Sequence, residues 1–163
     1  FVPTGTGVLL NNEMDDFSSR PLTPNAYGLV GAHANAIAPG KRPLSSMTPT
    51  FLESKNAVGI LGTPGGSRII SMVLIGALEF ARGTDPDVWV SANRFHHQYL
   101  PDEVQFERKG LTEVQQNALR GKGHTLREVN RNYGNMHAIL WNRETGEVKA
   151  ASDRRGEGDA QVW

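Results

Sequence analysis

A layered α+β fold, with antiparallel strands and two principal helices packed on a face, is the class that this sequence predicts. The 163 residues include 18 glycines and 9 prolines, and 38% are hydrophobic, which favours loop-rich α/β or α+β folds over helical bundles. Two pairs of short apolar runs predict two hairpins, and one long apolar run predicts a buried helix. A chain of this length can bury the core of one domain, so we expect a single domain over residues 1–163.

The first 46 residues predict little regular structure. Residues 7–11 are mostly apolar, follow a loop rich in glycine and threonine, and predict a short strand. Residues 12–43 contain recurring proline, glycine, asparagine and serine without periodicity, which predicts a loop. A loop of this length inside a compact domain is usually functional or covered by another chain.

The middle of the chain predicts a hairpin and then a helix. Residues 47–53 and 57–61 are the two strands of the hairpin. Residues 67–82 form a helix that is apolar nearly all round and is therefore expected to be buried on most faces, ending at Gly83. No stretch is long and apolar enough to span a bilayer, so no membrane segment is predicted.

The remaining residues predict two further helices and five strands. Residues 85–92 form a short helix with Pro86 near its start, and residues 112–119 form an amphipathic helix capped by Thr112. The strands are predicted at residues 95–100, 104–107, 124–128, 136–141 and 147–151. The last two make a hairpin, and the polar tail from Ser152 is expected to be exposed.

Charge and cysteine content exclude several function classes. Lysine and arginine number 17 against 17 aspartates and glutamates, so the basic footprint of a nucleic-acid-binding protein is absent and no such partner is expected. The sequence has no cysteine, which excludes disulfides, thiol nucleophiles and zinc–thiolate sites. Walker, dinucleotide-binding, metalloprotease and nucleophile-elbow motifs are also missing, and we predict neither a cofactor nor a bound metal.

The most informative feature is the turn between the strand at 57–61 and the long helix. Pro64 cannot donate a ladder hydrogen bond and ends the strand, whereas Gly65 and Gly66 can adopt positive φ. Their N–H groups would then lie at the start of a helix, where they suit a phosphate or the oxyanion of a tetrahedral intermediate. A plain structural turn is the alternative interpretation.

An acidic cluster follows the first predicted strand. Glu13, Asp15 and Asp16 place three carboxylates within four residues, and close carboxylates bind cations or ammonium groups. The alternatives are a solvated acidic loop and a calcium loop, although the spacing of an EF-hand is absent.

Two further clusters contain hydroxyls and imidazoles. Ser45 and Ser46 follow the basic pair at 41–42 and could hold a carboxylate through their donors, the alternative being an ordinary serine turn. His96 and His97 are adjacent on a predicted strand, so they point to opposite faces and chelate one metal poorly. We expect a structural role for both histidines.

Taken in order, these stretches resemble the small subunit of a gamma-glutamyltransferase (gamma-glutamyltranspeptidase). The matching segments span almost the whole chain, which makes chance agreement in residue type, order and spacing very improbable. They are GVLLNNEMDDFS (7–18), PNAYGL (24–29), KRPLSSMTP (41–49), GTPGGSR (62–68), FHHQ (95–98) and ASDRR (151–155). The resemblance implies an N-terminal-nucleophile hydrolase fold, an αββα sandwich of one catalytic domain shared with a large subunit cut from the same precursor.

The resemblance also implies an activity. In this family a precursor cleaves itself so that a threonine becomes an N-terminus, and its hydroxyl attacks a gamma-glutamyl carbonyl with the free amine as base. The gamma-glutamyl group then passes to water, an amino acid or a peptide. The expected function is therefore gamma-glutamyl transfer and hydrolysis on glutathione and related compounds, in a periplasmic or secreted enzyme.

Seven residues receive roles from the resemblance: Glu13, Asp16, Ser45, Ser46, Met47, Gly65 and Gly66. The acidic pair would hold the α-ammonium group of the substrate, the two serines would hold its α-carboxylate, and the methionine would line the pocket. The two glycines would supply the N–H groups of an oxyanion hole, each worth about 3 kcal/mol.

The nucleophile departs from the family pattern. The family's threonine precedes a glycine-rich lead into the Asn-Asn-Glu motif, whereas this sequence begins at Phe1, and Thr4 and Thr6 lie too close to that motif. We therefore expect the nucleophile upstream of this chain, which alone would be inactive. The alternatives are a glutaryl-type (cephalosporin) acylase of the same family, whose substrates lack the α-ammonium group, and a non-catalytic fragment.

Overall fold

A computed structural model describes residues 2–163. Phe1 lies outside the described residues, and so does the expectation that concerns the start of the chain. The chain divides after Ser46 into two compact units. Within residues 2–163, no helix has the length and apolar character needed to cross a membrane.

The first unit consists mostly of loops, as the sequence predicts. Two short 3-10 helices, Glu13–Asp16 and His33–Asn35, interrupt it. The strand predicted at residues 7–11 is wrong: Val8, Leu9 and Leu10 are exposed, and no described segment of this unit pairs with them. Without a neighbouring strand to accept its hydrogen bonds, an apolar run does not become part of a sheet.

The second unit contains seven strands and three α-helices. In chain order they are β1 (Thr50–Glu53), β2 (Ala57–Gly62), α1 (Ile69–Ala81), α2 (Pro86–Ser91), β3 (Phe95–Tyr99), β4 (Asp102–Glu107), α3 (Glu113–Gly121), β5 (Leu126–Val129), β6 (His137–Asn142) and β7 (Val148–Ser152). The mixed composition confirms the α+β class, and both predicted hairpins are confirmed as antiparallel pairs, β1–β2 and β6–β7.

The strands form two sheets. One has four antiparallel strands in the order β1-β2-β6-β7, and the other has three in the order β3-β4-β5. The prediction of antiparallel strands is wrong for one pair, since β4 and β5 are parallel. The helix α3 connects them, and a helical crossover returns the chain in the same direction. A capping box between Thr112 and Gln115 starts that helix where it was predicted.

The core lies where α1 and α2 pack against the strands. Helix α1 packs against β2 and β3, and α2 packs against β6 and β7. The buried apolar side chains are Leu61, Ile69, Met72, Trp89, Val90, Met136, Ala138 and Ala151. The Phe80 and Trp89 rings meet edge to face, 5.6 Å apart, an arrangement that aromatic pairs favour.

Two apolar surfaces of the second unit remain exposed. Helix α1 is buried or half-buried over most of its surface, as predicted, but Ile70, Leu74 and Leu78 form an exposed stripe along it. The four-stranded sheet also exposes apolar side chains on one face. They are Phe51, Ile139, Trp141 and Val148, which the strand register places side by side.

The expectation of an exposed tail is wrong at Asp153. This residue is only 2% exposed, and its side chain forms a buried ion pair with Arg94. Burial alone would raise the pKa of the Asp153 carboxyl, but the backbone N–H groups of Arg155 and Met136 and the Arg94 guanidinium outweigh it and hold the pKa below its usual value. The tail is therefore fixed to the core by a charged group that hydropathy assigns to solvent.

Candidate active site

The Gly-Gly turn has the backbone conformation that the sequence predicts. Gly65 has φ 151° and ψ 10°, and Gly66 has φ 57°. A Cβ atom on Gly65 would come within 2.6 Å of the Met72 methyl group. Glycine is therefore required at position 65 both by the backbone angle and by the close approach of a core side chain.

The two glycines present backbone donors at the start of a helix. Within residues 2–163, neither the N–H of Gly65 nor that of Gly66 donates a hydrogen bond. A 3-10 turn, Gly66–Arg68, leads directly into α1, and the first N–H groups of a helix lie at the positive end of its dipole. This arrangement can stabilise negative charge on an oxyanion.

Hydrogen bonds fix the peptide groups of the turn. The Thr63 hydroxyl donates to the Pro64 carbonyl oxygen at 3.0 Å and accepts from the Asn135 N–H at 3.2 Å. The Arg68 N–H donates to the Gly65 carbonyl oxygen at 3.2 Å. Sequence reasoning missed Asn135, because a backbone contact between residues 72 positions apart leaves no local pattern.

Arg68 and Tyr133 pack beside the turn. The Arg68 guanidinium carbon lies 5.1 Å from the centre of the Tyr133 ring, and Arg68 Nη2 donates to Gln105 Oε1 at 2.8 Å. Burial raises the pKa of the Tyr133 hydroxyl to about 12, so this ring stays neutral beside the cation. The segment of residues 133–135 thus contacts the turn through both a side chain and the backbone.

In the first unit, the structure brings together one member of each predicted binding group. The Ser46 hydroxyl lies 3.0 and 2.9 Å from the two oxygens of the Asp16 carboxylate and donates to it. Asn35 joins the same two segments, since its Nδ2 donates to the Asp16 carbonyl oxygen at 2.7 Å and its Oδ1 accepts from the Leu44 N–H at 3.1 Å. Asn35 was also missed, because an asparagine in a polar loop carries no distinguishing signal.

The other predicted binding residues are placed separately. Glu13 is half-buried in the same 3-10 turn as Asp16, and Ser45 is exposed. Lys41 uses its ammonium group on the loop carbonyls of Ala34 and Ala36, so it does not stand ready for a substrate carboxylate. Met47, 66% exposed, belongs to the second unit. Across the described range, 2–163, no three metal-ligating side chains converge.

The histidines occupy opposite faces of β3, as predicted. His96 is 5% exposed, and its Nδ1 and Nε2 lie 2.8 Å from Ser71 Oγ and Gln98 Oε1. His97 is exposed and lies 2.8 Å from Asp102 Oδ1. Burial lowers the pKa of His96. The neutral ring accepts from the Ser71 hydroxyl and donates to Gln98, which ties β3 to α1.

The chain is similar to one family of known proteins along its whole length. The model of the gamma-glutamyltranspeptidase family matches residues 1–163. The glutathione hydrolase proenzyme of Escherichia coli is 43% identical over 160 residues, which cover 94% of this chain and 26% of the relative. The chain therefore spans about a quarter of the length of that curated relative.

Solved structures match over nearly the whole chain. A gamma-glutamyltranspeptidase of Helicobacter pylori superposes with a TM-score of 0.85 at 41% identity, covering 96% of this chain and 86% of that one. The gamma-glutamyltranspeptidase of Pseudomonas nitroreducens gives a TM-score of 0.83 at 41% identity, covering 100% and 86%. The expected N-terminal-nucleophile hydrolase fold is confirmed by these neighbours.

Proposed function

Because this chain belongs to the gamma-glutamyltranspeptidase family, we propose that it forms part of an enzyme that transfers and hydrolyses gamma-glutamyl groups, with glutathione as its substrate class. The observation that carries this proposal is the Gly65–Gly66 turn, whose two N–H groups make no hydrogen bond within residues 2–163. Two backbone donors at a helix start suit the oxyanion of acyl transfer.

The acidic turn and the serines recognise the amino-acid end of the substrate. Glu13 and Asp16 hold the α-ammonium group, and Ser45 and Ser46 hold the α-carboxylate, while Met47 lines the pocket. The hydrogen bond between Ser46 and Asp16 supports this assignment, because it holds a carboxylate and a hydroxyl side by side. When the substrate binds, the single Ser46 proton turns from Asp16 to the α-carboxylate. A zwitterionic α-amino acid presents the complementary pair of charges.

The chemistry needs a threonine nucleophile outside these 163 residues. Its hydroxyl adds to the gamma-carbonyl carbon, its amine takes the proton, and the resulting oxyanion accepts hydrogen bonds from Gly65 and Gly66. Collapse of this intermediate expels the amine of the leaving group, which takes up the proton, and leaves a gamma-glutamyl ester. Water or an acceptor amine then attacks the ester and regenerates the threonine.

A large subunit from the same precursor is the proposed partner. The exposed sheet face with Phe51, Ile139 and Trp141, and the α1 stripe with Ile70 and Leu74, support it, because exposed apolar surfaces of this kind mark protein interfaces. In the αββα sandwich of the family fold, the sheet face would pack against a second sheet. The same family membership supports a periplasmic or secreted location for the enzyme.

The test compares two substrate classes in the full-length protein. Asp16→Asn removes the negative charge beside Ser46, and we expect KM for a gamma-glutamyl anilide to rise about 10- to 100-fold. Hydrolysis of the matching glutaryl anilide, which lacks the α-ammonium group, should change little. Asp15→Asn is the matched control, because Asp15 is an exposed neighbour with no proposed contact to substrate.

The two alternatives predict different results. A glutaryl acylase would turn over the glutaryl anilide better than the gamma-glutamyl anilide. If Asp16→Asn lowered activity on both anilides equally, Asp16 would not bind the α-ammonium group. A non-catalytic fragment predicts no turnover of either anilide by the full-length protein with its large chain. That result would overturn the proposed function.

A further inference from the structure

We propose that Thr63 is a positioning residue for the oxyanion hole, one whose hydroxyl sets the direction of the Gly65 N–H. This inference rests on the proposed function, because it assigns a task to a side chain that supports the proposed Gly65 donor. Thr63 lies between the end of β2 and Pro64. Its proposed action passes through the peptide group between Pro64 and Gly65 and needs no contact with the substrate.

The geometry of the peptide group makes this control direct. The Pro64 carbonyl and the Gly65 N–H belong to one planar trans peptide, so they point in opposite directions and rotate together. The Thr63 hydroxyl donates to that carbonyl oxygen at 3.0 Å. Holding the oxygen therefore holds the N–H, which itself makes no hydrogen bond within residues 2–163.

The hydroxyl is itself directed by a second hydrogen bond. Thr63 Oγ1 accepts from the Asn135 N–H at 3.2 Å. The single proton of the hydroxyl has two acceptors within reach, the Pro64 oxygen at 3.0 Å and Met72 Sδ at 3.9 Å. The oxygen is the nearer acceptor, and thioether sulfur is a weak one. Asn135 directly precedes Met136, which is 1% exposed. The N–H that directs the Thr63 hydroxyl therefore belongs to a backbone segment that is anchored in the core.

The two proposed oxyanion donors are supported differently. The peptide plane that carries the Gly66 N–H is held through the Gly65 carbonyl by the backbone N–H of Arg68 at 3.2 Å. Among residues 2–163, a side-chain hydroxyl holds the plane of the Gly65 N–H and not that of the Gly66 N–H. Glycine needs this support, because its backbone samples more conformations than that of any other residue, and a donor contributes only when it is aimed before the charge develops.

A positioning role predicts a loss in kcat without a loss in substrate binding. Thr63→Val keeps the β-branched shape and removes the hydroxyl, and we expect kcat for a gamma-glutamyl anilide to fall about 10- to 100-fold, somewhat less than deletion of a whole donor. KM should stay within about twofold, because the oxyanion exists only after attack. Thr63→Ser restores the hydroxyl and should recover most of kcat.

The experiment uses the full-length protein with its large chain and also measures the affinities of two ligands. Affinity for a gamma-glutamyl boronate, whose tetrahedral adduct resembles the intermediate, should fall in parallel with kcat, whereas affinity for a competitive gamma-glutamyl amide should not. Thr50→Val is the matched control, because the Thr50 hydroxyl also donates to a backbone carbonyl, that of Thr48, at 3.0 Å. Thr50→Val should leave kcat and KM unchanged.

The outcomes distinguish the positioning role from the proposed function. An active wild type whose Thr63→Val variant keeps its kcat, or loses only KM, overturns the positioning role and leaves the proposed function standing. The positioning role is also overturned if Thr63→Ser is as impaired as Thr63→Val, since the hydroxyl is then irrelevant. A wild type inactive on gamma-glutamyl compounds overturns the proposed function and the positioning role together.

Discussion

Arg155 and Glu107 form a two-pronged ion pair: Nε and Nη2 of the arginine lie 2.8 Å from Oε1 and Oε2 of the glutamate. The same guanidinium donates to the carbonyl oxygens of Val90 and Ala92 at the end of α2. Burial by itself lowers the pKa of Arg155, but the Glu107 carboxylate outweighs it and raises the pKa above its usual value. A residue near the C-terminal tail thus joins β4 to the end of a helix.

We predict that Arg155→Met lowers the free energy of unfolding by about 3 kcal/mol, because removing one partner leaves the other as an unpaired buried charge. Methionine keeps most of the apolar stem of arginine, so the loss in the free energy of unfolding is due to the missing guanidinium group. The measurement is urea unfolding of the full-length protein. Glu107 is 6% exposed, which makes solvent a poor substitute for the missing cation.

Arg154→Met is the control for this prediction, since Arg154 is the exposed neighbour and its replacement should cost less than about 0.5 kcal/mol. Adding Glu107→Gln to Arg155→Met should recover part of the loss, because the unpaired charge is removed. Equal unfolding midpoints for the two arginine variants would show that the ion pair contributes nothing.

Agreement between sequence and structure depends on the range of each interaction. The Gly65–Gly66 turn, the hairpins and the Thr112 cap were predictable, because proline, glycine and capping residues act within a few positions. The Ser46–Asp16 hydrogen bond joins residues 30 positions apart, and the Arg94–Asp153 pair joins residues 59 apart. Hydropathy treats such charges as exposed, so it assigned the tail to solvent.

The same limit explains the errors in the sheets. Residues 7–11 have a strand-like composition but no partner within their own unit, and pairing is decided by a neighbour that composition does not reveal. The parallel arrangement of β4 and β5 follows from the helix between them. The predicted roles of all seven site residues, from Glu13 to Gly66, stay predictions that the substrate experiments test.

We predict that His96 makes stability depend on pH below the ordinary histidine pKa of 6.5. Burial lowers its pKa in the folded protein below the ordinary 6.5, so the unfolded chain takes up the proton first as pH falls. The neutral His96 contributes fully to the free energy of unfolding above pH 6.5. This contribution is lost as the pH falls from the pKa of the unfolded chain through the lower pKa of the folded protein. Urea midpoints at pH 7, 6 and 5 measure the slope.

His96→Gln should flatten that slope, because glutamine does not titrate. His97→Gln, on the exposed opposite face of β3, is the control that keeps His96 and therefore keeps the part of the slope due to His96. The prediction fails if the wild type is equally stable at pH 7 and pH 5, or if the two glutamine variants flatten the slope alike. A lower absolute stability of His96→Gln is expected from the lost hydrogen bond with Ser71 and does not bear on the slope.

We predict that Gly65→Ala disables the oxyanion hole. A Cβ atom there would lie 2.6 Å from the Met72 methyl group, at a φ of 151° that side chains rarely adopt, so the turn must rearrange and its N–H must change direction. We expect kcat on a gamma-glutamyl anilide to fall at least about 100-fold, as when an oxyanion donor is removed.

Gly62→Ala is the matched control, because a Cβ atom at position 62 meets nothing within 4 Å and its φ is ordinary. That variant should keep kcat and stability. Combining Gly65→Ala with Met72→Ala removes the steric contact but not the strain of the backbone angle, so kcat should stay low. Recovery of kcat in the double variant would show that Met72 packing, rather than the direction of the Gly65 N–H, limits the reaction.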